Sequence, residues 1–364
     1  MVPLIGSVVV GGSSGRSSGV RARVCSCRGD PRSDAKTCSG THGVNEQTRL
    51  AERTPPKISV MVPTYCPDPV FLRHALGSVL AQDPGMEMME IEVVDDASPS
   101  NELEHIVMEL GAGRVRVFRQ DRNLGLAANW NSCIERARGE WIHILHQDDW
   151  VHPSFYRALR DGLEQPDVGI AFCRHAFIDA ADRVTGVSDL ERTSPGVVED
   201  FLKRIASGQR IQFSSALLRR SACLEVGGFS ASLSFALDWE MWVRLASRYA
   251  VWFEPSVLAS FRIHEQSTGW NLAKAGMLVR DHVRATRLVS SHVPVEARPE
   301  IRRLSRRHAA RYCFDMAARL VDHGSRWAGM RCGLESLILF HTPESLFSLL
   351  RIARRALSRS HVCS

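Results

Sequence analysis

Nowhere in these 364 residues do about 18 apolar residues follow one another, so no membrane-crossing helix is expected. The first 56 residues hold no Phe, Trp or Tyr and are rich in Gly and Ser. A segment that poor in apolar surface cannot offset the entropy of ordering, so residues 1–56 are expected to be disordered, or in part upstream of the true start. Val8-Val9-Val10 has no basic stretch before it and no convincing small-residue cleavage site after it, so no secretory signal is expected. G-x-G-x-x-G and G-x-x-x-x-G-K-[ST] are both missing, which removes support for a dinucleotide fold or a P-loop. So is H-E-x-x-H, and Cys25-Ser26-Cys27 lacks the spacing of a zinc pair. The ten cysteines are scattered, several within apolar strand or helix patterns. That usage suits a reducing cytosol better than a disulfide scaffold.

What the chain does have, from Lys57 onward, is strand, loop and helix in repetition. Ile58–Val62, Ile91–Val94, Val115–Phe118 and 141–145 read as buried strands. Phe71, Leu72, Ala75, Leu76, Val79 and Leu80 recur at helical spacing, and further helices are expected over about 101–110 and 126–137. This alternation predicts an α/β fold with a parallel sheet covered on both faces, and ligands bind such sheets at the carboxyl ends of the strands. Three polar clusters fall there: Pro63-Thr64-Tyr65, Asp95-Asp96 and Asp148-Asp149. Adjacent carboxylates at a buried strand end repel and are costly to desolvate, and a divalent cation, Mg²⁺ or Mn²⁺, would answer both problems. The bland alternatives are a solvated turn or a helix cap. After the third strand, Asn123-Leu124-Gly125 leads into a helix containing Asn129. That helix start could face phosphate, or it could be an ordinary start capped by Asn123.

The pieces Ile58–Tyr65, Val93–Ser98, Asn123–Asn131, Ala137-Arg138-Gly139-Glu140, His146–Pro153, Val226–Phe229 and Leu237–Trp242 occur in an order and spacing that resembles family 2 glycosyltransferases over residues 57–265. Two positions differ from many relatives. His146 replaces an Asp, giving a His-Gln-Asp-Asp pattern similar to a bacterial variant of the family, and Leu237 replaces a frequent Glu.

The resemblance implies a GT-A fold, with a mixed, mostly parallel sheet flanked by helices and a C-terminal helical appendage. It also implies inverting transfer of a sugar from a nucleotide-diphosphate sugar, probably UDP-linked, to a glycan or lipid-linked hydroxyl in cell-surface polysaccharide or glycolipid synthesis. It assigns Asp238 as the base that deprotonates the acceptor. The donor is assigned to Pro63, Thr64, Tyr65, Asp95, Asp96, Asn123, Gly125, Asn129 and Asp148. The metal falls to Asp148, Asp149 and His264, with Arg262 available to phosphate charge, and the acceptor side to Gly228, Phe229 and Trp239. Asp238 is expected to open a helix whose N-terminus keeps the carboxylate ionised. A plain N-cap is the competing reading for Asp238, and core packing for Trp239 and Trp242. A metal-dependent nucleotidyltransferase is the nearest alternative enzyme, but it calls for a Gly-rich basic loop where this chain has Thr64–Pro69. A non-catalytic sugar-nucleotide or glycan-binding protein is the other alternative.

Charge is unevenly spread. The chain carries +6 overall, with +8 in residues 297–364 and +4 in residues 1–56, leaving −6 for 57–296. Residues 1–56, 57–270 and 271–364 therefore read as a disordered segment, the catalytic domain and a basic helical region. Helices are expected near 275–291, 297–322, 326–340 and 343–358. In the last, Leu346, Leu350, Ala353 and Leu357 line one face, with Arg351, Arg354, Arg355 and Arg359 around it. That helix could lie peripherally on the anionic inner face of the cytoplasmic membrane, or pack on the core. No nucleic-acid partner is expected, because aromatic interleaving and a known binding motif are missing. The expected location is cytoplasmic.

Overall fold

A computed structural model describes residues 57–111 and 113–358; the disorder expected for 1–56 concerns residues outside those described. Ile58–Thr64 (β1), Pro69–Leu80 (α1), Met89–Asp95 (β2), Glu102–Gly111 (α2), Val115–Arg119 (β3), Leu126–Arg136 (α3) and Trp141–Ile144 (β4) follow in the alternation the apolar pattern predicts. The chain continues through Trp150–Val151 (β5), short helices Phe155–Ala158 (α4) and Arg160–Leu163 (α5), then Val168–Ile178 (β6), Val184–Val187 (β7) and Gly196–Val197 (β8). Phe201–Ser207 (α6), Ala216–Arg219 (β9), Arg220–Glu225 (α7), Leu237–Ala246 (α8) and Ala250–Arg262 (β10) complete the part that carries the sheet. Five helices end the described chain: Thr268–Ala275 (α9), Leu278–Ser291 (α10), Arg298–Asp322 (α11), Arg326–Ser336 (α12) and Pro343–Ser358 (α13).

The sheet runs β3-β2-β1-β4-β9-β6-β10-β5, with β7 on β6 and β8 on β10. β3, β2, β1 and β4 are mutually parallel, and β6 is parallel to β10, whereas β9 lies antiparallel between β4 and β6. Every residue of β1 and β2 is buried. Continuous burial is what helices on both faces demand, and it is why these strands read as unbroken apolar runs. Alternation still sorts the side chains: Val60, Val62, Ile91 and Val93 join one core, while Met61, Val94, Ile142 and Ile144 join the other. A third cluster, around Trp270, Phe314, Leu320 and Ile352, belongs to the C-terminal helices.

β10 begins seven residues before the expected Val257 and bends at irregular pairings between Glu254 and Ala259. The bend hid its first half from a simple strand pattern. The helix expected at 275–291 starts at Leu278, because Gly276 (φ 75°) ends the separate α9.

Gly139 links the third helix–strand connection, between α3 and β4, to β1. A Cβ there would sit 2.6 Å from the backbone nitrogen of Ser59. The close approach lets Ser59 Oγ accept from the Gly139 amide at 2.7 Å and the Arg138 amide at 3.1 Å. Gly139→Ala is expected to cost about 1–3 kcal/mol through forced backbone displacement, read as a lower urea midpoint by circular dichroism with an unchanged slope.

Candidate active site

The carboxyl ends of β1, β2 and β4 form one edge, and each contributes acidic or hydroxyl side chains to it. At the end of β2, Asp95 is fully buried. Thr64 Oγ1 and Ser98 Oγ donate to its Oδ1, the Ser98 amide donates to Oδ2 at 3.0 Å, and Arg119 pairs with Oδ2 at 2.9 Å. Asp96 accepts from the Leu124 amide at 2.7 Å and the Gly125 amide at 2.9 Å. Asp95 takes four partners, two on each oxygen, and is committed to holding the loops; each Asp96 oxygen accepts one backbone amide and keeps further acceptor capacity. The loop between them and Ser98 passes through Ala97 in the left-handed region (φ 60°), as does Cys66 (φ 45°) after β1. Strained turns at two adjacent strand ends are held by exactly those bonds that over-determine them.

Asn123 does not cap α3. The N-cap is Gly125 (φ 82°), which makes no side-chain capping bond. Asn129 is buried and donates to Val94 O at 3.1 Å, tying α3 to β2. Pro63 is buried inside β1, while Tyr65 is half exposed on the edge. Its backbone is bracketed by Gln147, whose side chain accepts from the Tyr65 amide at 2.9 Å. Beside this loop, Cys66, Pro67, Ser98 and Pro99 line a cavity of about 180 Å³.

After β4, ligand atoms of His146, Asp148 and Asp149 lie within 4.8 Å of one another. Asp149 Oδ1 accepts from the Arg262 amide at 2.9 Å; Asp149 Oδ2 and His146 Nε2 are buried and make no hydrogen bond among the described residues. Burial, then the neighbouring charge of Asp148, hold the Asp149 carboxyl well above the usual range. Burial acts the same way on Asp148, but the His264 hydrogen bond and the charges of His146 and His264 outweigh it and hold this carboxyl low. His264 Nε2 meets Asp148 Oδ2 at 2.8 Å. His146 is wedged between Trp130 and Phe213, and burial takes its pKa down to about 4. An orphaned carboxylate oxygen beside a second carboxylate suits a hard divalent cation. Arg262, expected to face phosphate, is buried instead. Its guanidinium donates to Asp148 O, Asp179 O and Asp182, and lies over the Phe71 ring.

Asp238 sits at the second position of α8, after the N-cap Ala236, so it is not the cap itself. Its Oδ1 accepts from the Trp239 amide at 2.6 Å and its Oδ2 from Gln209 Nε2 at 2.7 Å. Burial raises its pKa to about 7 against those two bonds, and the charge of Asp281 adds to the rise. The helix N-terminus was expected to keep this group ionised; desolvation outweighs it. Asp281, from α10, accepts from three successive amides, those of Ser234, Phe235 and Ala236, and so pins the entry to α8. The Gln209 amide donates in turn to His308 Nε2 of α11 at 3.2 Å. Gln209 touches Asp238 and Phe213 touches His146, so the two centres are joined through a stretch whose end Cα atoms, four residues apart, lie at most about 14 Å from each other.

The Gly227-Gly228-Phe229 turn forms as expected, with φ of 83° and 67° at the glycines. Asn131 brackets the Phe229 backbone, and Arg244 donates to Val226 O and Gly228 O. Phe229 and Trp239 are each 2% exposed. Trp239 donates its indole N–H to Ile205 O and packs in the core, so neither ring has a face open to an acceptor sugar. Gln209, Asp281 and His308 escaped the sequence reading, and Gln147 entered it only as part of the His-Gln-Asp-Asp pattern, with no role. Of those that escaped, only Asp281 left a trace there, as an acidic residue on the apolar side of an amphipathic helix.

Residues 59–227 match the model of the glycosyl transferase family 2. An uncharacterized protein of Mycobacterium tuberculosis, MT1568, is 31% identical over 224 residues, covering 58% of this chain and 69% of that one. The chain belongs to glycosyl transferase family 2. Succinoglycan biosynthesis protein ExoW of Rhizobium meliloti is 28% identical over 57% of this chain and 65% of its own. The chain thus spans about two thirds of the length of these relatives. Among solved structures, residues 1–349 of S. aureus TarS superpose with a TM-score of 0.55 at 14% identity over 83% of this chain and 88% of that one. The same TarS fragment has been solved with UDP-GlcNAc, with a TM-score of 0.51. A mannosyltransferase of Pyrobaculum calidifontis, in complex with GDP-Man and Mn²⁺, gives a TM-score of 0.50 at 18% identity over 85% of this chain and 91% of that one. These likenesses establish the GT-A type of fold. In this family 2 glycosyltransferase, Asp238, His264 and Asp281 all lie beyond the stretch that the family model matches.

The raised pKa of Asp238 makes it a liability to the folded state. Unfolded, the carboxyl loses its proton near 3.8; folded, it keeps it to about 7. Between those values the native state binds more protons, so stability falls as pH rises. Asp238→Asn is expected to raise Tm at pH 8 relative to wild type, with the pH-linked difference shrinking as pH falls and gone below about 3, in paired thermal melts.

Proposed function

We propose that this glycosyltransferase inverts the anomeric centre of a nucleotide-diphosphate sugar, in the first instance a UDP-sugar, while moving the sugar to a hydroxyl of a glycan or lipid-linked acceptor. Its place would be at the cytoplasmic stage of cell-surface polysaccharide or glycolipid synthesis, in line with what ExoW's name says of that protein. The observation that carries the reading is the presence of two unlike carboxylate centres joined by the short stretch from Gln209 to Phe213. One is the His146–Asp148–Asp149 cluster with an unsatisfied buried oxygen; the other is Asp238, whose carboxyl titrates near neutrality.

Asp148 and Asp149, with His264 beside them, would hold Mg²⁺ or Mn²⁺, the latter being the ion in the Pyrobaculum complex. When bound, such an ion supplies positive charge for the departing diphosphate. The Pro63-Thr64-Tyr65 edge and the Gly125 turn border the donor. Asp95, Asp96 and Asn129 act one layer behind, fixing the loops that would touch it. On the other side, Asp238 takes the proton of the acceptor hydroxyl through a carboxylate oxygen as that hydroxyl's oxygen attacks the anomeric carbon opposite the leaving diphosphate. A pKa near the working pH suits this role, since about half the molecules hold the base form at pH 7 without making the base feeble.

Thermal shift against nucleoside diphosphates and nucleotide sugars, with and without Mn²⁺, tests the donor site through mass action. A Mn²⁺-dependent rise with UDP or a UDP-sugar, abolished in Asp149→Ala, is the expected result. A rise only with GDP would change the base, and none at all would remove the donor site. With a working donor and acceptor, kcat/KM should climb tenfold per pH unit below about 7 and flatten above it. Asp238→Asn should lower kcat on the order of 10²–10⁴-fold with the donor-induced shift intact. Unchanged turnover would remove Asp238 as the base.

A further inference from the structure

The last helix, α13, carries two apolar rows. Ser345, Leu349, Ile352 and Ala356 face inward, where Leu349, Ile352 and Ala356 pack into the C-terminal helical core. Leu346, Phe347 and Leu350 face out and are 52%, 59% and 59% exposed. At 3.6 residues per turn these three fall within about 100° of one another, with exposed Arg354 between them and Arg351 at the margin. The row read from sequence as one face packing on the core or on a membrane is therefore free of the core.

A basic groove adjoins it. Arg302, Arg303 and Arg306 of α11, with Phe340 and His341, line a groove of about 380 Å³. No acidic side chain lies within ion-pair distance of Arg302 or Arg303 among the described residues. Only Thr342 separates His341 from α13, so His341 and Leu346 lie within about 18 Å along the chain.

We propose that this face docks on an anionic lipid bilayer, with lipid phosphate in the arginine groove and Leu346, Phe347 and Leu350 inserted among the acyl chains. Charge selects this occupant. A second copy meeting it through the same face would set +8 against +8, and the chain's own first 56 residues carry +4, so both are repelled. An anionic bilayer supplies both the negative surface and the hydrocarbon that the two features ask for. Docking here would hold the enzyme against a surface that carries lipid-linked molecules, but the proposal stands on α11 and α13 alone and does not depend on which sugar moves.

The test is co-sedimentation of the full chain with vesicles of phosphatidylcholine alone and of phosphatidylcholine containing about a third phosphatidylglycerol. Binding is expected to the second only, and to weaken as salt is raised. Arg302→Gln with Arg303→Gln should weaken it roughly thirtyfold, at about a kcal/mol per arginine. Leu346→Ser with Phe347→Ser and Leu350→Ser should weaken it at least as much; these side chains are exposed, so circular dichroism should remain unchanged. Equal binding to neutral vesicles, full binding by the serine variant, or no binding would each overturn the proposal. So would a vesicle-free dimer in sedimentation velocity that the serine variant dissolves, since that would make the face a self-association surface.

Discussion

Four groups converge on a carboxylate that water never reaches. Asp95 ends β2 and takes hydrogen bonds or charge from Thr64 on β1, Ser98 in its own loop and Arg119 on β3. Left alone, such a group would cost several kcal/mol and destabilise the edge; satisfied, it locks three parallel strand ends at a fixed spacing. Every other feature of that edge is registered against it. Asp96 is held at the right height to gather the amides of Leu124 and Gly125, which aim α3. Gln147 then ties the loop after β1 to the acidic stretch after β4. The paired acids that first drew attention are thus different in kind. Asp95 is spent on architecture and Asp96 in part, whereas the buried Asp149 Oδ2 has no hydrogen bond among the described residues.

The second centre follows the opposite logic. Nothing neutralises Asp238, and only two neutral donors reach it. Its proton affinity is set by burial, with help from Asp281, a carboxylate that the α8 entry loop needs for its own three amides. The group that organises the loop is also one that discourages the nearby charge, so geometry and basicity at this point are coupled through one residue of a C-terminal helix.

How far the sequence reveals this depends on the range of the interaction. The β–α alternation through β4, the glycine turn before Phe229 and the late helices were legible because burial on two faces and local turn chemistry leave periodic marks. The strand-end acids were legible as a set, since polar pairs interrupting apolar runs stand out. Their division of labour was not, because it depends on which backbone amides come near each carboxylate. Asn123 looked like a cap because Asn favours that position; the Asp96 carboxylate, 27 residues away in sequence, took over the amides that start the helix. Trp239 looked able to stack on a sugar, and only the packing of α6 and α8 shows that its ring is enclosed. Gln209 and His308 carried no signal, being ordinary residues in ordinary patterns until the fold brings them together.

The span of those contacts sets an order of assembly. His146, Asp148 and Asp149 all precede residue 150, and the histidine partner of Asp148 has been made by residue 264. The surroundings of Asp238 need Asp281, about 45 residues after the loop it holds, and His308, 99 residues after Gln209. A chain emerging from the ribosome, N-terminal end first, can finish the sheet edge while Asp238 still lacks its walls. The two carboxylate centres are therefore finished at different moments in the life of the polypeptide, and a nascent chain passes through a stage with the acidic edge in place and Asp238 not yet enclosed.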